Sequence, residues 1–463
     1  MNHIRFFSLL LLVFLTGCAT VEEARRVQSG EEIPIGERTP TAAEVGLSGD
    51  KEVTLSELEE IALRVNPSIR QAVNAVNMSY LAVKMVKADF LPAIGAEFGH
   101  SRSTANRSRH NYDYDTYGTW SGAVGLELMI YDFGKTDAAV KASLEEYKAA
   151  LQALRNAQNQ VVYAVRTAYF QLHRAIELDK VAKETVAQYK QHMDHVQIKN
   201  EVGSGIPFDL TKAKVDYNNA ILREIAAANR IQIAKTSLIH AIGLAEEASF
   251  SVKSVKLKEY ELDATKLMAM ARQSEPGLAS LVAVEQAAKQ RVDKAINDLY
   301  PTFSLNLGGV LTGQSLSFPF IWNVTGAAGV SQTIFAGGRL ENAIKLATLE
   351  LKNARAAIAS YEQSLYMRLR TASLNAKLAK EQLVVATQIE KQASEYFGIV
   401  SEQYNVGKAS SLERTDAQVA WTGAKASTVA ATYDYQDALA VIAQLTGDFP
   451  EYHPEDVTKP DFE

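Results

Sequence analysis

Cysteine is nearly absent from this chain: of 463 residues only Cys18 carries a thiol, so neither an intrachain disulfide nor a multi-cysteine metal site can form. No apolar run reaches eighteen residues, which excludes a membrane-spanning helix in the mature part. Basic residues are in no surplus either. The 48 Lys and Arg against 54 Asp and Glu give a formal charge of −6, and without a basic tract or face this argues against a nucleic-acid partner. No nucleophile elbow, phosphate loop or cysteine cluster is present, so the expectation is a protein that is not an enzyme and needs neither cofactor nor metal. Glycine and proline are both missing from Lys135 to Val202, and from Arg339 to Val406 only Gly398 interrupts. A helix of about 65 residues would be about 100 Å long.

What is present comes twice. Gly134, Gly203 and Gly243 recur as Gly338, Gly407 and Gly447, each 204 residues later. Tyr131-Asp-Phe-Gly-Lys135 answers Phe335-Ala-Gly-Gly-Arg339, and Asn66-Pro67 and Leu91-Pro92 answer Glu275-Pro276 and Tyr300-Pro301. One unit has been laid down twice. The first copy spans residues 52–243 and the second 263–447, joined by a linker at 244–262 and followed by a tail at 448–463.

Residues 1–17 read as an export signal, with Arg5 before an apolar stretch too short to span a bilayer. Leu15-Thr-Gly-Cys18 resembles the bacterial lipobox, which makes Cys18 the expected lipid attachment point and 18–51 a tether; an ordinary secretory signal is the alternative.

Each copy opens with a proline-broken helix. Thr54-Leu-Ser-Glu57 has capping-box spacing. After Pro92 and Pro301 the pattern switches from helical to alternating, predicting strands at about 93–100, 119–131, 302–312 and 320–335. In the third, Phe303, Leu305, Leu307 and Leu311 oppose Ser304, Asn306, Gly308 and Thr312. About ten residues is the length of a tilted transmembrane strand, and Tyr117, Trp120, Tyr131, Phe318, Phe320, Trp322 and Phe335 near the run ends suit interfacial girdles. Alternation alone also fits amphipathic hairpins packed on a soluble core. Along the long helix that follows, Leu144, Leu151, Val165 and Leu172 form one heptad set and Tyr147, Leu154, Val161, Ala168 and Ala175 another, indicating a coiled-coil seam. The helices turn at Val202-Gly203 and Val406-Gly407 and return. Four membrane strands cannot close a barrel, so copies of the chain must pool strands: two give eight with a filled interior, three give twelve with a lumen.

The doubled plan, the Asn-Pro and Tyr-Pro marks, the Phe-Gly-Lys and Gly-Gly-Arg helix starts and the Tyr-x-Val-Gly turn together resemble the TolC-like outer-membrane efflux proteins, in their lipoprotein branch. The resemblance covers nearly all of residues 52–448. It implies a homotrimer anchored in outer-membrane lipid: a twelve-stranded β-barrel continued by a periplasmic α-helical coiled-coil barrel. It further implies docking to a periplasmic adaptor and an inner-membrane pump, and export of small toxic compounds. Tyr404, Glu413 and Asp416 match the positions that constrict the closed periplasmic end, and Val202, Gly203, Val406 and Gly407 match the turns that meet the adaptor. Ala409 stands where relatives can have an arginine, and Ser204 and Lys408 replace a common leucine.

Other readings stay open at this level. Ser410-Ser-Leu-Glu413 has capping-box spacing, so Glu413 can equally serve its helix, and the turn glycines can serve only to supply positive φ. His192 and His195, three apart, could bind a metal, although exposed helix positions explain them better. Residues 111–117 read as a solvated hairpin tip. A duct for type I protein secretion is the second channel reading, and a lipid-anchored coiled-coil scaffold the third.

Overall fold

Capping groups set the helix starts. The computed structural model describes residues 40–47, 52–106, 114–202, 206–245, 250–313, 321–455 and 457, with Val21, Ala24, Arg25 and Gln28. Cys18, Gly203, Ser204, the segment 107–113, Phe318 and Phe320 lie outside the described residues. The chain divides into two units, and each draws on both sequence repeats.

The first unit takes residues 1–71, 157–267 and 369–452. A two-residue strand β1 (Glu52–Val53) pairs in parallel with β4 (Ser251–Val252). Helix α1 (Leu55–Val65) starts on the Thr54/Glu57 capping box read from sequence and buries Leu55, Leu58, Ala62 and Leu63. Asn66 then ends α1 and starts α2 (Pro67–Lys87), its Oδ1 accepting from the Ser68 amide at 2.9 Å. The unit also holds the distal part of α3 (Lys135–Glu201), all of α4 (Pro207–Ile242), the later part of α7 (Arg339–Asn405) and α8 (Ser411–Thr446). Gly243 and Gly447 close α4 and α8 in the left-handed conformation, at φ 100° and 70°. Every member of the heptad set Tyr147, Leu154, Val161, Ala168 and Ala175 is buried, as are Val165 and Leu172 of the other.

The second unit takes residues 72–156, 268–368 and 453–463. Here α5 (Ala264–Ser274) gives way to α6 (Pro276–Asn297), which Glu275 caps by accepting from the Gly277 and Leu278 amides at 3.0 and 2.7 Å. The sheet contains β2 (Ala93–Asn106), β3 (Tyr114–Tyr131), β5 (Thr302–Gly313) and β6 (Ile321–Ser331) in the antiparallel order β2-β3-β5-β6. Register puts like with like. Leu126 faces Leu307, Leu128 faces Leu305 and Leu311 faces Trp322 on one side; Glu127 faces Asn306, and Ser121 faces Thr312, on the other. The apolar side is bare: Trp322 and Val324 are each 72% exposed.

Three strand limits differ from expectation. β2 continues to Asn106 instead of ending near residue 100, and β3 begins at Tyr114 instead of 119. The added residues are largely polar, so hydrophobic alternation is blind to them. β6 stops at Ser331 and not at 335: the Gln332 side-chain Nε2 donates to the Leu299 carbonyl, and Gly337 and Gly338 take positive φ into α7. At the other sheet-to-helix junction Asp132 accepts from the Gly134 and Thr136 amides at 3.0 and 2.7 Å, which starts α3. Phe133, at φ 57°, lies among the rings of Tyr131, Tyr300 and Phe303. No helix among the described residues is long and apolar enough to cross a membrane.

Candidate functional site

The end of α7, the turn after it and the start of α8 form the candidate gate, backed by α3. Tyr404 ends the last full turn of α7, and Gly407 reverses the chain at φ 76°. The Gly407 amide donates to the Tyr404 carbonyl at 3.1 Å and the Lys408 amide to the Gln403 carbonyl at 2.8 Å, closing the helix end. Ser410 then starts α8. Its hydroxyl accepts from the Glu413 amide at 3.2 Å, while Glu413 Oε2 accepts from the Ser410 amide at 2.6 Å and from the Ser410 hydroxyl at 2.9 Å. The capping-box reading of Glu413 is therefore correct in full. These bonds, the Ser410 amide first, hold the Glu413 carboxyl below the usual carboxylate range.

Capping does not hide the carboxylate. Glu413 and Asp416 are both exposed, and their i, i+3 spacing puts them on one face of α8. Tyr404 goes elsewhere: it is buried at 8% exposure against α3. Its ring meets His192 edge-on with centroids 5.4 Å apart, and His195 lies 6.2 Å away. Lys199 Nζ stands 4.6 Å from the ring centroid and the Arg414 guanidinium 5.9 Å. Burial raises the Tyr404 hydroxyl, and Asp209 at the start of α4 adds to the shift. Val202 and Val406 are exposed at the two turns, 71% and 69%, and Ile206 and Phe208 flank the first with similar exposure. Ala409 is half-buried and its amide donates to the Gln403 carbonyl.

The structure corrects the placement of His192, which is 3% exposed and not a solvated helix position. Thr185, Tyr189 and Val196 are buried beside it in spacings of four, three and four, a coiled-coil signal that the sequence did carry. Arg414, Lys199 and Asp209 were not distinguishable from ordinary surface charges, because their partner Tyr404 is about two hundred residues from two of them. No cluster of three or more metal-ligating side chains occurs among the described residues.

The sequence profile described as outer membrane efflux protein matches residues 58–244 and 267–448, most of both repeats. The chain belongs to the outer membrane efflux protein family. Family membership places it among channel proteins of the outer membrane. Relatives include a probable efflux pump outer membrane protein, TtgC of Pseudomonas putida, 23% identical over 384 residues that cover 79% of this chain and 76% of that one. The outer membrane protein TolC of Escherichia coli is 22% identical over 427 residues, covering 84% and 83%. Among solved structures, the CmeC outer membrane channel of Campylobacter jejuni superposes with a TM-score of 0.72 at 19% identity, covering 85% of each chain. That likeness is one of fold.

Proposed function

We propose that three copies of this chain, lipidated at Cys18, form a passive export duct of a tripartite efflux system. A twelve-stranded barrel would cross the outer membrane, and a ring of long helices would carry the path through the periplasm to an adaptor and an inner-membrane pump. Small toxic compounds are the cargo that this layout serves.

The four-stranded sheet carries the proposal. Its apolar side is exposed across all four strands, its other side is polar, and its two edges β2 and β6 pair with no further strand among the described residues. In lipid an unpaired edge costs several kcal/mol per backbone group, so the sheet has to be completed by other copies. Exposed apolar residues on the helices ask for the same. Phe208, Val215 and Leu222 recur on α4 at sevens, and Leu374, Leu378, Val385, Ile389 and Tyr396 recur on α7 at sevens and fours. Such stripes are coiled-coil seams awaiting partners, and a head-to-tail ring supplies them. In a threefold ring Glu413 and Asp416 become six carboxylates at one narrow end, which attract cations.

Planar-bilayer recordings of the purified protein test this. Small, cation-selective currents are expected, growing or losing selectivity in a Glu413→Ala, Asp416→Ala variant. No current from correctly lipidated, folded protein would favour the scaffold reading.

A further inference from the structure

His192 sits where four helix ends meet. It projects from α3 with 3% exposure, the Tyr404 ring of α7 against it at 5.4 Å, and Ser411 Oγ of α8 3.5 Å from its Nε2. The charges that face it are of one sign: Lys199 on its own helix, Lys212 on α4 and Arg414 on α8, joined by His195 once that ring is protonated. Of the carboxylates at this end, Asp216 accepts from Lys212 at 2.8 Å, and Asp209 bears through space on the Tyr404 hydroxyl, whose ionisation it disfavours. A neutral imidazole fits this pocket as an aromatic wedge. An imidazolium would be a buried cation with no counter-charge, a state that proteins avoid by neutralising or expelling the group. Burial first, then Arg414 and the other cations, push the His192 pKa down to about 4.

We propose that His192 is an acid-released latch of the gate: neutral, it ties α3 to α7 and α8 through Tyr404 and Ser411, and protonated it leaves its pocket and lets the helix ends part. The functional part of this rests on the tip being the gate, whereas the structural part does not. The packed end tolerates only the neutral ring, while a parted end exposes an ordinary histidine that binds a proton at higher pH. Acid therefore favours the parted state, and the balance shifts between the ordinary histidine value and about 4. This response is distinct from that of Glu413, whose protonation weakens only its own cap at the start of α8.

Hydrogen exchange on the full-length protein, corrected for intrinsic rates, reads the latch directly in peptides covering 188–201 and 399–418. Wild-type protection there is expected to fall at least about tenfold from pH 7 to pH 4. His192→Phe keeps a ring beside Tyr404 and cannot titrate there, so it should lose clearly less protection than wild type between the two pH values, the remainder coming from His195 and the Glu413 cap; His192→Gln serves if the Phe variant does not fold. Equal acid loss in wild type and variant, or none in wild type, overturns the latch. Bilayer recordings in a Glu413→Gln, Asp416→Asn background, which keeps the cap and carries neither carboxylate, should show opening at pH 4 that His192→Phe abolishes. Absence of all current would count against the channel, while the exchange experiment would still decide the latch.

Discussion

The side-chain amide of Asn66 donates to the backbone carbonyl of Ala241 at 3.0 Å, joining the end of α1 to the last turn of α4 across 175 residues of sequence. Asn66-Pro67 and Ile242-Gly243, two of the marks that reveal the internal repeat, thus meet in space. Gly243 closes α4 there at φ 100°, and a β-carbon added to it would lie 2.8 Å from Asn66 Cα and 2.9 Å from Pro67 Cδ.

Gly243→Ala therefore combines an unfavourable backbone conformation with overlap against another backbone. We expect a loss of about 2 kcal/mol or more, seen as a lower melting temperature of the detergent-solubilised protein. Gly398 offers the control. It lies within α7 with nothing within 4 Å of its notional β-carbon, so Gly398→Ala should stabilise the helix by about 0.5–1 kcal/mol. Equal effects of the two substitutions would show that the Asn66 contact is not limiting.

A buried ion pair reinforces the same unit. Arg166 Nε donates to Glu59 Oε1 at 2.6 Å, with only 12% and 6% of the two side chains exposed, and Arg166 also donates to the Asp448 carbonyl at 3.3 Å. Glu59→Ala strands the guanidinium in the interior and should cost about 3–5 kcal/mol. The paired replacement Glu59→Leu, Arg166→Met removes both charges and should cost far less. Thermal melts of the single and double variants measure the difference; an equal cost would mean that packing, and not the stranded charge, dominates.

Glu413 serves its helix and faces solvent, and one substitution separates the roles. Gln keeps the capping-box geometry but carries no charge, whereas Ala loses both. Glu413→Gln should leave the α8 start protected from hydrogen exchange while reducing cation selectivity in bilayers; Glu413→Ala should lower both. The cap also sets a pH dependence. Because the folded value is depressed, its stabilisation is complete above the ordinary glutamate value of 4.5 and is lost as pH falls through the lower folded value. Unchanged selectivity in the Gln variant would reduce Glu413 to a structural cap.

These particulars explain which parts of the molecule were legible. Helix starts were readable wherever a local cap sets them: Thr54 with Glu57 and Ser410 with Glu413 lie three residues apart and need no tertiary partner. The sheet faces were readable because each apolar residue of β5 meets another apolar or small one by register alone. Strand ends were not, since Ser101–Asn106 pairs through backbone groups that composition does not report. The gate was legible only in part. Glu413 and Asp416 are placed by spacing on one helix, and the spacing of Thr185, Tyr189 and Val196 signals that His192 is buried, but Lys212 and Arg414 reach it from other helices and no local pattern announces them.

The sidedness of the sheet is the point on which membrane insertion turns, and two neighbouring residues of β5 test it. Leu307 faces Leu126 and Gly326 on the apolar side, whereas Asn306 faces Glu127 and Ala327 on the polar side. If the apolar side meets lipid, an arginine there must lose its hydration or reach for the headgroups, at about 2–4 kcal/mol near the midplane for each copy. Leu307→Arg should then sharply reduce heat-modifiable oligomer recovered from outer membranes. Asn306→Arg, one residue away, would project into water beside Glu127 and should insert normally, altering ion selectivity instead. A soluble packing of the sheet predicts no such contrast, because both sides of β5 would then tolerate charge according to local contacts alone. Equal recovery of the two variants would therefore remove the membrane assignment of this sheet.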